Sequence, residues 1–508
     1  MAEPNLASGT GACPVRQLAR AAAATVLAMV TGCTVGPDYV RPDASIPADF
    51  KELAGWKPAT PMDNIDRGAW WSIYDDPVLD GLERQIDVTN QTVKEAEAAY
   101  RQAAAEIRVA RADLFPVLGL NAGARTSGSG SGTGGNFNST GVGSSGTTGT
   151  VRSFRGGNGG STTRTTYTLE GTLDWDLDLW GRIRRQIESS TAAAQVSAAD
   201  LANAKLSAQV ALATDYFQLR GSDALQRLLD KTVEAFERSL RIAENQYRVG
   251  VAARSDVITA HAQLETARAQ AGIVGVARAQ FEHAVAVLTG RPPAELTLAP
   301  GTLADSVPVP PPSLPSTLLE RRPDIAGTER AMAEENALIG VQLAAYYPDV
   351  SLSAVYGFVG SPLTSLLESA NRVWSLGAAA SQTLLEGGAR PAAVEAARAA
   401  YDQSVAAYRQ TVLTAFQQVE DQLSSLRVLQ QQAAPQDEAV RLARQAVEIA
   451  LNEYRAGTVA YTAVVTNQTA ALADEQIALS LQVQRLVASA TLIGALGGGW
   501  TTAELPAS

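Results

Sequence analysis

Between Tyr167 and Leu179 the chain alternates apolar and polar residues almost without a break. Tyr167, Leu169, Leu173, Trp175, Leu177 and Leu179 share one parity with Gly171, while Thr168, Glu170, Thr172, Asp174, Asp176 and Asp178 take the other. Side chains of a β-strand alternate between its two faces, so this stretch has an oily face opposite an acidic one. Half of a soluble sandwich meets that description. So does a strand of a transmembrane barrel, in which lipid covers the apolar face and a water-filled lumen the polar one, over about 9–11 residues.

The N-terminus favours the second. Arg16 and Arg20 precede the apolar run AAAATVLAMV, and VTGC follows, ending at Cys33. A basic region, an apolar run too short to span a bilayer and small residues before the cut describe an exported precursor, so residues 1–32 are expected to be absent from the mature protein. VTGC resembles a bacterial lipobox, which implies a lipid anchor on Cys33, and Thr34 after it favours delivery to the outer membrane. Cys13 would leave with the leader, so no disulfide forms within one mature chain. The two histidines, His261 and His283, lie in an Ala-rich helical stretch, and no metal-ligand spacing occurs. No phosphate-binding loop, dinucleotide fingerprint or nucleophile elbow is present. No metal, no cofactor and no enzymatic activity are therefore expected. A net charge of −11 without a basic cluster argues against nucleic acid.

The chain repeats itself. NQYRVGVAARSDVITA, from Asn245, reappears as NEYRAGTVAYTAVVTN, from Asn452, and at the same offset Leu177 falls on Leu384, Gly181 on Gly388 and Tyr167 on Trp374. LFPVLGL, from Leu114, corresponds to YYPDVSL, from Tyr346, at a larger offset. The first copy thus carries extra residues, and these are a Gly/Ser/Thr tract over about 126–165, a composition suited to a solvated loop tip. Each copy is expected to hold one β-hairpin, with strands near 117–125 and 167–179, then 349–358 and 373–383. Val93, Ala96, Tyr100, Ala103, Ile107, Ala110 and Leu114 step by three and four, as do Val405, Tyr408, Val412, Ala415, Val419, Gln422, Leu426 and Leu429. These are the seams of closely packed helices. Two long helices are expected at 182–248 and 389–455, each about 100 Å at 1.5 Å per residue. Shorter ones are expected at 77–113, 255–288, 316–343 and 461–496.

Four strands cannot close a transmembrane barrel, which needs about eight or more. An open edge in lipid leaves backbone groups unsatisfied at several kcal/mol each. Two, three or four chains sharing one barrel all satisfy this.

Several stretches carry a resemblance across the mature chain: GCTVGPDYVRPDASIPADF from Gly32, Trp70 with Trp71, LDWDLDLWGRIR from Leu173, LPSTLLERRPDIAGTER from Leu314, and ALGGGW from Ala495. They resemble the TolC/OprM-type outer-membrane factors, in the NodT-like lipoprotein branch that serves RND efflux systems. The resemblance implies an α+β membrane protein. A homotrimer would form a 12-stranded outer-membrane β-barrel, four strands per chain, continued by a long periplasmic α-helical barrel built from an internal duplication. The segments are then a leader (1–32), a lipid-anchored extended segment (33–76), a first repeat (77–300), a Pro-rich linker (301–315), a second repeat (316–500) and a tail (501–508). Glu170, Asp174, Asp176 and Asp178 would line the lumen.

The repeated YRVG and YRAG stretches interrupt the helices. Gly250 and Gly457 stand where a helix end needs positive φ, and Ser255 with Asp256 are expected to cap the next helix. By resemblance these turns are the periplasmic tips. Val249, Gly250, Val251, Ala252, Ala456, Gly457 and Thr458 match the docking surface for a periplasmic adaptor, or membrane fusion protein. Asp256, Ser255 and Tyr454 match the gate. The second copy departs from the family's pattern, with Ala463 and Thr466 at positions often acidic and Val459 at one often basic. The implied function is the passive outer-membrane exit of a tripartite pump driven by an inner-membrane RND transporter and conducting small toxic molecules. Two other readings are an exit duct for type I protein secretion and a structural envelope-spanning coiled-coil lipoprotein; the latter leaves the acidic strands unexplained.

Overall fold

A computed structural model describes residues 34–43, 47, 50–53, 69–129, 162–308 and 318–506. Cys33, the leader, the tip of the Gly/Ser-rich loop and the second half of the Pro-rich linker lie outside the described residues. Among the described residues one element order occurs twice. The first copy has helices α1 (Pro77–Thr89) and α2 (Gln91–Ala112), strands β1 (Val117–Ser129) and β2 (Thr162–Leu177), and helices α3 (Arg182–Arg248) and α4 (Arg254–Leu288). The second has a single turn (Leu318–Arg321), α5 (Pro323–Ala344), β3 (Asp349–Gly360), β4 (Arg372–Ser381), α6 (Ala389–Arg455) and α7 (Tyr461–Ala495). Corresponding helices match in length: 67 residues for α3 and α6, 35 for α4 and α7, and 22 for α2 and α5.

Two expected helices are broken. The stretch 77–113 divides at Asn90, which takes an extended conformation with ψ 127°. Its N–H still bonds the carbonyl of Ile86, ending α1, while its side-chain oxygen accepts from the N–H of Val93, starting α2. Asn is a favoured cap for this reason, and the TNQT sequence held the signal. The stretch 316–343 divides at Arg322, before Pro323, as the conformational restriction ahead of proline dictates.

The chain divides into two compact units. Among the described residues the first gathers 34–36, 109–129, 162–186 and 340–394 and is built on one antiparallel sheet, ordered β1-β2-β3-β4. Its base is aromatic: Trp180 stacks on Tyr347 at 4.8 Å and donates to the carbonyl of Pro348, and Trp175 donates to the carbonyl of Leu114. Residues 34–36 are held there by the N–H of Val35 on the carbonyl of Trp180 and by the Arg185 guanidinium on the carbonyls of Val35 and Gly36. Gly36 is required at this point, with φ +114° and room for a Cβ only 2.6 Å from the Cα of Gly340.

The second unit gathers the described residues within 37–108, 187–339 and 395–506 and is mostly helical. One core joins Trp70, Trp71 and Tyr74 to Leu79, Leu212, Tyr216, Phe217 and Leu486. Another joins Phe50 to Ile325, Met332, Tyr408, Val412, Val419 and Leu492. Each large side chain fully buried here contributes about 1.5–3 kcal/mol. The expected seam of α6 lies inside, with Tyr408, Val412, Ala415, Val419 and Leu426 all buried. Helix α7 is long and apolar enough to cross a membrane by composition, yet Val464, Leu486 and Leu492 are buried within this unit.

Candidate functional site

Strand pairing decides which side chains share a face. The three registers run without a slip, so directly paired residues carry the same facing along every strand. One row joins Leu118, Leu173, Ala354 and Leu376; another joins Leu120, Gly171, Tyr356 and Trp374. All the large apolar residues of β2 extend across the sheet into apolar partners. On this face Leu118, Leu120, Trp374 and Leu376 are 71–78 % exposed, far beyond what a water-facing sheet tolerates.

The opposite face is polar. Asn121 pairs with Glu170 and Glu170 with Gly357; Asp174 pairs with Val117 and Ser353, and Asp176 with Ser351. The structure therefore brings Glu170, Asp174 and Asp176 onto one face. Asp178 is different: β2 ends at Leu177, and the Asp178 carboxylate accepts from the N–H groups of Ile183 and Arg184 and pairs with the Arg184 guanidinium at 3.1 Å. The expectation of a lumen-lining strand residue is corrected at this position. Continued alternation hid the end of the strand, and Asp178 serves the free N–H groups at the start of α3.

The other constellation lies where α3 meets α4 and α6 meets α7. Each turn ends its first helix in the same way. The N–H of Val251 reaches the carbonyl of Gln246 and that of Gly250 the carbonyl of Tyr247, with Gly250 at φ +81°. In the second copy Thr458 bonds Glu453 and Gly457 bonds Tyr454, with Gly457 at φ +73°. Both are Schellman closures, and both need the positive φ that glycine adopts freely. The expected caps are not made. The N-cap of α4 is Ala253, with no side-chain bond, and Ser255 and Asp256 stand in the first turn instead. Asp256 there faces the positive end of the helix dipole and is free to reach outward.

It reaches the second copy. The Tyr454 hydroxyl donates to the Asp256 carboxylate at 3.4 Å, and the Tyr454 ring packs 5.1 Å from Tyr461 in a cluster with Ala243, Ala260, Ala450 and Val464. Burial, then the Asp256 charge and hydrogen bond, push the Tyr454 hydroxyl up to about 12, and burial with Asp256 does the same for Tyr461. Both phenols stay neutral donors at physiological pH. Ser255 is exposed, its hydroxyl 3.5 Å from Asp256. Val249, Gly250, Val251, Ala456, Gly457 and Thr458 are exposed and Ala252 half-buried. Sequence reasoning missed Tyr461 and Gln246, whose amide donates to the carbonyl of Tyr454 at 2.9 Å. The signal was a difference between copies: Gln246 corresponds to Glu453, whose carboxylate has no N–H to give.

The family model for outer membrane efflux proteins matches the chain twice, over residues 83–291 and 314–498. The chain is an outer membrane efflux protein. Among its relatives is the toluene efflux pump outer membrane protein TtgC of Pseudomonas putida, 28 % identical over 472 residues that cover 92 % of this chain and 93 % of TtgC. Another is the outer membrane protein OprJ of Pseudomonas aeruginosa, 27 % identical over 492 residues that cover 96 % of this chain and 97 % of OprJ. The solved outer-membrane channel OprN superposes with a TM-score of 0.82 at 30 % identity, over 92 % of this chain and all of OprN. An outer membrane efflux protein provides the exit channel through which a pump discharges across the outer membrane. That location accounts for the exposed apolar face of the sheet, which is satisfied by lipid, and for the polar face, which is satisfied by water.

Proposed function

We propose that this chain works as a homotrimer and forms the passive exit duct of a tripartite RND-type efflux pump. The observation that carries this reading is the sheet: β1 and β4 are open edges among the described residues, and their backbone groups cannot remain unpaired in lipid. Three chains, edge to edge, close twelve strands with the apolar face outward and Glu170, Asp174 and Asp176 inward. The same oligomer brings the two repeats of each chain, joined through the Pro-rich stretch 301–315, into a periplasmic helical barrel.

The lipid anchor on Cys33 is supported by its neighbour. Thr34 begins a segment bonded to Trp180 at the base of the sheet, the level at which acyl chains attached one residue earlier would enter the inner leaflet. Small toxic molecules are the cargo, by analogy with the toluene efflux pump relative. Asp256, Ser255 and Tyr454 form the gate, with the hydroxyl–carboxylate contact tying the α6–α7 turn to the start of α4. The exposed residues Val249, Gly250, Val251, Ala456, Gly457 and Thr458, with Ala252, form the docking surface for the periplasmic adaptor.

Asp256→Ala combined with Tyr454→Phe tests the gate: single-channel conductance of the purified protein in a planar bilayer is expected to rise, and unchanged conductance removes both residues from it. A photo-crosslinking residue at Val251 tests the assembly. Capture of an adaptor belonging to a proton-driven RND pump supports the reading, whereas an adaptor of an ATP-driven secretion system makes the cargo protein.

A further inference from the structure

Among the described residues the apolar face of the sheet carries one charge. Arg372, the first residue of β4, pairs directly with Phe358 and so shares the facing of Tyr356, Trp374 and Leu376. The other charged residues of the described strands, Arg125, Arg164, Glu170, Asp174, Asp176 and Asp349, all take the opposite facing. A misplaced lumen residue would require a register slip, and there is none between β3 and β4.

Arg372 is exposed, and among the described residues it has no ion-pair or side-chain hydrogen-bond partner. It lies at the end of the sheet away from the helices, about 27 Å along the strand direction from the row of Leu177 and Val350 at a rise of ~3.4 Å per residue. Tyr356 and Trp374 form the row beneath it, and the Tyr356 ring contacts Phe358 at 6.5 Å. Aromatic residues at this position mark the level where acyl chains give way to headgroups. The loop that delivers Arg372 is built firmly: the Asn371 amide donates to the carbonyl of Ser365 at 2.7 Å, and the N–H of Asn371 to the carbonyl of Glu368. A guanidinium held at headgroup level on a lipid-covered face, with no carboxylate among the described residues of its own chain to answer it, meets phosphate there, to which its planar fork is matched.

We propose that Arg372, above Tyr356 and Trp374, is a binding point for the phosphorylated headgroup of an outer-leaflet glycolipid. This rests on the assignment of the apolar face to lipid. The phosphate takes two parallel N–H bonds from the guanidinium, while the rings beneath carry the first part of the acyl chains. Each chain of the assembly supplies one such point, spaced around the barrel.

The test uses the full-length assembled protein in detergent and native mass spectrometry, with bis-phosphorylated lipid A and the same lipid after phosphatase treatment as probes. Gel mobility of the unheated oligomer serves as the check on assembly. Arg372→Gln is expected to weaken binding of the phosphorylated lipid about tenfold, the worth of one charge-assisted hydrogen-bond pair. Binding of the dephosphorylated lipid is expected to be unchanged, Arg372→Lys to recover part of the loss, and Arg125→Gln, on the opposite face, to bind as the parent does. If Arg372→Gln assembles and binds phosphorylated lipid A as the parent does, the proposal is overturned. Should Arg125→Gln lose the binding while Arg372→Gln keeps it, the facing of the sheet is reversed, and the barrel reading fails with the proposal.

Discussion

The two copies of the repeat share a frame and differ in how it is locked. In the first, the Asp223 carboxylate gathers the Arg220 guanidinium at 3.0 Å, the Arg278 guanidinium at 2.7 Å and the N–H of Gly301 at 2.9 Å. Both arginines also donate to the carbonyls of the segment that follows α4, Arg220 to Ala299 and Arg278 to Leu298. At the corresponding positions of the second copy the arginines remain, as Arg427 and Arg485, but Gln430 replaces Asp223. Arg427 turns to Glu52 of the N-terminal segment, and Arg485 has a 3.4 Å contact with Gln482. Five residues past Gln430 comes Pro435, inside α6, and beside the following turns lies an open surface groove of about 750 Å³ between the copies, lined by Asp437, Val440, Arg444 and Glu448 with Leu228 and Leu479. Duplication preserved lengths and registers, while the polar locks drifted. The consequence is one tightly clamped copy and one that lacks this clamp within the same unit.

Breaking the clamp gives the largest expected effect. Asp223→Ala leaves two arginines in a site where Arg220 and Asp223 are almost fully buried, and removing one partner of such a network costs about 3–5 kcal/mol. Burial raises the Asp223 pKa, but the Gly301 N–H, Arg278 and Arg220 outweigh it and the net direction is downward. Its contribution is therefore present above the ordinary carboxylate value of about 3.9 and is lost as pH falls through the lower folded value. Denaturant unfolding from pH 7 to pH 2 should show this loss setting in below about pH 4 in the parent, and a shallower decline in Asp223→Ala. A variant as stable as the parent at pH 7 would erase the distinction between the copies.

The first copy is not tighter everywhere. Glu83 in α1 is fully buried, and among the described residues neither carboxylate oxygen has a hydrogen-bond partner. Burial, with Asp87 adding to it, pushes its pKa up to about 9. The folded state thus holds a proton that the unfolded chain releases, so stability is full below about pH 4.5 and falls as pH rises toward 9, at about 1.4 kcal/mol per unit. Glu83→Leu should stabilise the protein by about 3 kcal/mol at pH 7 and flatten the dependence between pH 5 and 9. Melts across that range check both, and a slope that survives the substitution assigns it to another group.

Most of this frame was legible in the sequence because periodicity is a property of residue order. Strand alternation, helix seams and the repeat offset located the strands and both 67-residue helices, with their ends set by Arg248 before Gly250 and Arg455 before Gly457. What escaped were places where one polar side chain serves the backbone rather than the pattern. Asn90 splits a helix, Asp178 ends a strand while continuing its alternation, and Ala253 starts a helix where Ser255 stood as the obvious cap. In the tip, the approach of Tyr454 to Asp256 joins residues 198 apart in the chain. Tyr461 and Gln246 completed that cluster through packing and a backbone carbonyl, neither of which leaves a motif.

The smallest expected effect probes the unclamped copy directly. Helix α3 carries no proline ring at the matching position, which Leu228 occupies in place of Pro435. Proline in a helix interior removes one backbone bond, leaves the carbonyl four residues earlier without its donor, and strains the turn. Pro435→Leu restores that bond and replaces a helix-breaking residue with a helix former, so a gain of about 1–3 kcal/mol is expected. The gain should appear as slower amide exchange through residues 436–448 of α6, with the α3 amides near Asp223 unchanged, because the clamp there is already closed. If exchange slows equally in both long helices, they respond as one body and the effect of Pro435 is not local. If it does not slow at all, the missing hydrogen bond is not what leaves this part of α6 free to open, and covering the open groove from the α7 side, at Ala478, becomes the substitution to test.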